Sequence, residues 1–148
     1  MMLDVQNLFS DQQVLTSATA NVLLSSNTID LLPTSVGSLG YVPTADIGRG
    51  NEANLFVQLT ADVVGATSLL VELIVADNAA LTTNPTVVAG SGAVPVASLK
   101  AGYRFGITSI PPGITKRYAG LRYTFVGGAG TGGAATAGAI TAGVTLDR

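Results

Sequence analysis

Apolar and polar positions alternate with period two along several stretches of this chain, the pattern of a strand with one buried face. In the segment 54–61, Leu55, Val57 and Leu59 fall on one face. In 67–76, Leu69, Val71, Leu73 and Val75 fall on one face and Leu70, Glu72 and Ile74 on the other, so that strand is apolar on nearly both sides, as a central strand is. The segment 117–126 sets Ala119, Leu121, Tyr123 and Phe125 against Tyr118, Gly120, Arg122 and Thr124. Weaker strand patterns cover 12–24, 28–31, 86–89, 94–99 and 103–107, and a last one runs over 139–146 with Ile140, Val144 and Leu146 inward. The short connection 62–66 predicts an antiparallel hairpin between the two strong strands around it. Pro95 predicts an edge position for its strand, because proline cannot donate to a ladder.

No stretch shows three turns of helical periodicity. About eight strands at this spacing predict an all-β fold: an antiparallel β-sandwich, jelly-roll-like, as a single domain over 1–148. Two segments stand outside the strands. Residues 1–11 carry Leu3, Val5, Leu8 and Phe9 without a clear period and read as an N-terminal arm. Residues 33–53 are punctuated by Pro33, Gly37, Gly40, Pro43, Gly48 and Gly50 and read as a long irregular loop. Loops of that length are commonly functional or disordered.

Composition changes the picture in one respect. Only 11% of the 148 residues are charged and 47% are hydrophobic, against roughly 25% charged in an ordinary soluble domain. Such a surface is poorly solvated by its own ions, which predicts that partners cover much of it. The net charge of −2 gives no reason to expect nucleic acid. The charges are unevenly placed, with Lys100, Arg104, Lys116, Arg117 and Arg122 in one stretch and most acids before it. That split either brings opposite faces of neighbouring molecules together or is ordinary solvated charge.

The chemistry-bearing residues are few. There is no His and no Cys, which removes the commonest acid–base group, the commonest metal ligands and the usual nucleophile–base pairs. Ser98 and Lys100 share a strand face, but nothing else points to a catalytic dyad. A spatial pair of carboxylates stays open, although a chain without Trp has little to stack a sugar. The run Gly128-Ala129-Gly130-Thr131-Gly132-Gly133 matches the glycine pattern of dinucleotide-binding loops. That site needs a helix next, and a strand pattern follows instead, so the run reads as a flexible turn between strands. The expectation is therefore no enzyme, no cofactor, no metal and no small-molecule substrate. The N-terminus lacks a basic flank and an apolar core, and no apolar stretch is long enough to span a bilayer, which predicts a protein made in the cytoplasm without a membrane partner.

Three blocks together carry a family resemblance. They are Leu3-Asp4-Val5-Gln6-Asn7-Leu8-Phe9-Ser10-Asp11-Gln12; Ile47-Gly48-Arg49-Gly50-Asn51; and Arg117-Tyr118-Ala119-Gly120-Leu121-Arg122-Tyr123 with the closing Thr141-Ala142-Gly143-Val144-Thr145-Leu146-Asp147-Arg148. The sequence resembles the cement, or decoration, proteins of tailed-bacteriophage heads, a family of jelly-roll proteins. The resemblance implies a virion protein on the outer capsid surface that bridges major capsid protein subunits and stabilises the shell. The sticky surface adds an expectation of self-association as a dimer or trimer. Candidate interface residues are Leu3, Val5, Leu8 and Phe9 in the arm, and Arg49 and Asn51 in the long loop. Arg49 sits between two glycines and suits recognition of a carboxylate through its planar fork. The alternative is another virion β-module, a tail or fibre domain, that binds a host glycan through a shallow groove with aromatic walls.

Overall fold

A computed structural model of the chain describes residues 5–31 and 53–145. Leu3, Arg49, Asn51, Leu146 and nearly all of the predicted 33–53 loop lie outside the described residues. A 3-10 turn at Val5–Asn7 leads into β1 (Leu8–Val14), followed by β2 (Val22–Leu24) and β3 (Ile29–Asp30). After the second described segment begins come β4 (Asn54–Val64), β5 (Ser68–Ala76), β6 (Thr86–Pro95), β7 (Tyr118–Val126) and β8 (Ala137–Thr145). The eight strands form two antiparallel sheets. One has the order β1-β8-β4; the other has the order β2-β7-β5-β6, with β3 also on β7. The all-β sandwich expected from the alternation is present, and its two-sheet arrangement fits a jelly roll.

The core lies between the sheets. Val57 and Leu59 from one sheet meet Leu69, Val71, Leu73, Leu121, Tyr123 and Phe125 from the other, and all are buried. These are the inward positions that the period-two pattern marks. β5 pairs with β6 on one side and β7 on the other, the central place that its two apolar faces required. β6 ends at Pro95 and is an edge strand, as proline demands.

The hairpin expected across 62–66 does not form. β4 pairs with β8 while β5 pairs with β6 and β7, so the connection carries the chain from one sheet to the other. Gly65 makes the crossing with φ +77, and a Cβ there would overlap the Thr136 side chain. The link that remains between the two strands, 65–67, is short enough for either a sheet change or a hairpin, and alternation alone does not distinguish them.

The weak patterns at 86–89 and 94–99 belong to one strand, β6, followed by a 3-10 turn at Val96–Ser98. The 103–107 stretch is not a regular strand. Residues 99–110 nevertheless run along β4. The N–H groups of Leu55, Leu59 and Val63 donate to the carbonyls of Thr108, Tyr103 and Leu99, and Phe105 and Ile110 donate back to Val57 and Ala53. That segment closes the outer edge of β4.

The remaining edges of the first sheet and of the β2–β3 side close on each other. Asn27 N–H donates to the Phe9 carbonyl. The Gln13 side chain donates to the Leu24 carbonyl and accepts from Ser26 N–H. Deeper in, Ser10 Oγ donates to Gln13 Oε1 over 2.6 Å and lies 2.7 Å from the Tyr123 hydroxyl. Serine has one hydroxyl proton, so the Tyr123 hydroxyl is the donor to Ser10.

A second, smaller apolar cluster lies on the outer face of the five-stranded sheet. Ile74, Ala76 and Leu81 are buried there with Leu24 and Tyr118 against them. Gly120 admits Leu81, because a Cβ at 120 would overlap the Leu81 side chain. This is why the otherwise bulky β7 carries a glycine.

Candidate interaction surface

Among the described residues of the arm, Val5 is 77% exposed in the opening 3-10 turn. Leu8 and Phe9 belong to β1 and are buried, Phe9 completely. They are core residues, which corrects their candidacy as exposed contacts. The cause is local. β1 has register shifts between Leu8 and Ser10 and between Ser10 and Gln13, and Gln12 has φ 44. These irregularities break the alternation, so Leu8, Phe9 and Ser10 are buried in succession and the segment shows no period in sequence.

Three of the five basic residues in the 100–122 stretch pair with carboxylates of the same chain. Arg117 makes a forked pair with Asp30, with Nε–Oδ1 3.0 Å and an Nη–Oδ2 distance of 2.7 Å. That carboxylate holds the guanidinium pKa above its usual range. Arg122 pairs with Glu72 at 2.7 Å, and Lys100 with Asp62 at 3.3 Å. Asp62 also accepts the Ala101 backbone N–H, which together with Lys100 lowers its pKa. Lys116 donates to the Asn84 carbonyl. Arg104 lies over the Phe56 ring at 4.6 Å. Much of the uneven charge in the sequence is thus taken up by pairs within the chain, an outcome that neither alternative named.

What the fold exposes instead is an end rich in apolar side chains, beside the pair that Lys100 makes with Asp62 of β4. Val14, Val64 and Val126 are each more than half exposed. Val14 pairs with Ala139 and Val64 with Ala137, so both flank the start of β8. Val126 joins them through the turn, since Thr67 N–H bonds the Val126 carbonyl and Ala129 N–H bonds the Gly65 carbonyl. The glycine-rich run completes this end, and from Val126 to Ala139 no residue carries a charge.

That run is pinned, not flexible. Ala18 N–H donates to the Thr131 carbonyl, Asn21 N–H to Gly132, Thr131 N–H to Thr16, and Gly130 N–H to Ala134. At Gly128 a Cβ would overlap the Gly133 carbonyl, and at Gly132 it would overlap the Ala18 carbonyl. The glycines allow backbone to pack on backbone. β8 follows, so the chain provides no helix N-terminus for a pyrophosphate.

An open groove of about 550 Å³ runs beside this end, on the outer face of the five-stranded sheet. Val22, Leu24, Ile74, Leu81 and Pro85 line it together with Ser17, Thr19 and Arg122, the last paired to Glu72. No aromatic ring is among its lining residues. Neither the groove nor the valine-lined end was legible before the fold was known, because both join residues from strands distant in sequence. The one available signal was the long uncharged run between Arg122 and Asp147.

No curated protein matches the chain. A family comparison matches residues 9–144, nearly the whole of the described sandwich, to the Bbp16 family. The match starts at the buried Phe9 and ends in β8, so it spans both sheets. The chain belongs to the Bbp16 family.

Proposed function

We propose that this protein is a structural virion component, a cement protein that binds the outside of a tailed-phage capsid and bridges major capsid protein subunits. The role is non-catalytic and requires no cofactor. The observation that carries the reading is the end formed by the exposed Val14, Val64 and Val126 and the pinned glycine-rich run. A rigid apolar surface docks on another protein with little ordering cost. The name of the family suggests a phage-related protein, which supports the same assignment. So does the sequence resemblance to decoration proteins. The lining of the groove, which holds no aromatic ring, favours this reading over a glycan-binding tail or fibre module, which stacks sugars on aromatic rings.

The test places charge on the proposed contact. Val14→Asp, Val64→Asp and Val126→Asp change exposed side chains and should leave the melting temperature of the free protein close to wild type. Each should weaken binding to emptied heads, because it buries an unpaired carboxylate at the contact. Full binding by all three variants would remove this end from the capsid contact.

A further inference from the structure

Of the five cations from Lys100 to Arg122, four meet an oxygen of their own chain. Lys100 pairs with Asp62, Arg117 with Asp30 and Arg122 with Glu72, and Lys116 donates to the Asn84 carbonyl. Arg104 is the exception. Among the described residues it meets no carboxylate, and its guanidinium lies over the Phe56 ring at 4.6 Å. Arg104 is exposed, whereas Phe56 is buried. A guanidinium is planar, so stacking on a ring uses its face and leaves the forked N–H edge for an acceptor.

The backbone holds this side chain in place. Leu59 N–H donates to the Tyr103 carbonyl and Phe105 N–H to the Val57 carbonyl, and Arg104 bridges to Gln58. Phe105 is buried in the core, and Tyr103 packs edge-on against it with ring centroids 5.2 Å apart. Side chains along an extended segment alternate, so Arg104 turns to the opposite, outer face. There Phe56 stands opposite Gly143 of β8 in the register. Arg104 is thus positioned before any partner arrives, which lowers the ordering cost of binding. Phe56 lies near the start of β4 and Val64 ends it. The Arg104 site and the valine-rich end are therefore separate places on the sandwich, as a molecule that bridges two subunits needs.

We propose that Arg104, held over Phe56, is a second capsid contact and recognises a carboxylate of the major capsid protein. The inference rests on the capsid reading and adds to it the chemistry of one contact. The planar fork donates two parallel hydrogen bonds to a carboxylate. Phe56 is a positioning residue: it holds the fork without neutralising it. Asp62, Asp30 and Glu72 already meet the charges of Lys100, Arg117 and Arg122, so Arg104 is the group in this stretch that suits an acidic partner. Arginines and aromatic rings carry a disproportionate share of the energy at protein contacts.

The experiment measures binding of the whole protein to emptied heads, either untreated or with their carboxylates blocked as amides by carbodiimide and glycinamide. Arg104→Ala changes an exposed side chain and should leave the melting temperature close to wild type. It should weaken binding to untreated heads by about tenfold or more. Arg104→Lys keeps the charge but loses the fork and should recover only part of that loss. Phe56→Leu keeps an apolar side chain and should weaken binding with an unchanged far-UV spectrum. Blocking the carboxylates should weaken the wild type strongly and Arg104→Ala clearly less, because that variant already lacks its half of the pair. Rising salt should weaken the wild type more steeply than Arg104→Ala. If both proteins bind untreated heads equally, the Arg104 contact is overturned and the capsid reading stands. Equal losses on blocking overturn the carboxylate as the partner group. Wild-type protein that leaves untreated heads bare overturns the capsid reading, and this contact with it.

Discussion

The Tyr123 hydroxyl donates to Ser10 Oγ at 2.7 Å, and this bond crosses from the five-stranded sheet to the three-stranded one. Both residues are fully buried. Ser10 donates its own hydrogen bond to Gln13 Oε1, which also accepts from Ser26 N–H, so the chain of bonds fixes β1 against the β2–β3 segment. A polar bridge in an apolar interior fixes relative position, because each member without its partner is a desolvated orphan.

The two ends of the bridge should therefore respond unequally. Tyr123→Phe removes a donor while Ser10 keeps its bond to Gln13, and should destabilise by about 0.5–1.5 kcal/mol. Ser10→Ala leaves the phenol hydroxyl buried without an acceptor and should destabilise by about 1–3 kcal/mol. Urea unfolding of both variants checks the order, and an equal or reversed order contradicts the assigned proton direction.

Burial raises the Tyr123 pKa well above its ordinary value of 10.0. Below pH 10 this tyrosine is neutral in both the folded and the unfolded chain. Above it, the unfolded chain ionises and the folded one does not, so this contribution to stability falls as pH rises from there toward the folded pKa. Tyr123→Phe should flatten part of the alkaline loss of stability. An unfolding series from pH 8 to 11 on both proteins (about one unit per step) reads the difference.

The N-terminal segment shows where sequence reasoning stops. Phe9 and Val5 look alike in the sequence, yet one is fully buried and the other 77% exposed. Phe9→Ala should lower stability by about 3–5 kcal/mol, and Val5→Ala should change it by less than about 0.5 kcal/mol. Thermal melts distinguish them. Deleting the arm through Phe9 therefore tests folding, not docking.

The central strands were legible because β4, β5, β7 and β8 are long and their inward residues recur at every second position, as with Leu69, Val71 and Leu73. Phe9 was not, because bulges in β1 cancel the alternation. The sheet change at Gly65 was not either, because pairing partners are set by the whole core and not by the length of one link. The Val14, Val64 and Val126 surface draws on three strands, and no local pattern announces it.

Gly128 of the glycine-rich run and Gly92 of β6 make an informative pair. A Cβ at Gly128 would overlap the Gly133 and Ala134 carbonyls, whereas a Cβ at Gly92 meets nothing within 4 Å. Gly92→Ala meets only the backbone penalty of φ +71, about 1–2 kcal/mol. Gly128→Ala must displace main chain and should destabilise by more than that. Denaturant midpoints of the two variants decide it, and equal values would mean that the run is not packed as described.

The account turns on the claim that this protein decorates a phage shell. Purified protein mixed with heads that lack it, then sedimented through a gradient, measures that directly. The account predicts that it travels with the heads, saturates at a number of copies comparable to the major capsid protein, and makes the shells more resistant to heat. Heads that sediment bare while the protein stays folded at the top of the gradient would contradict it.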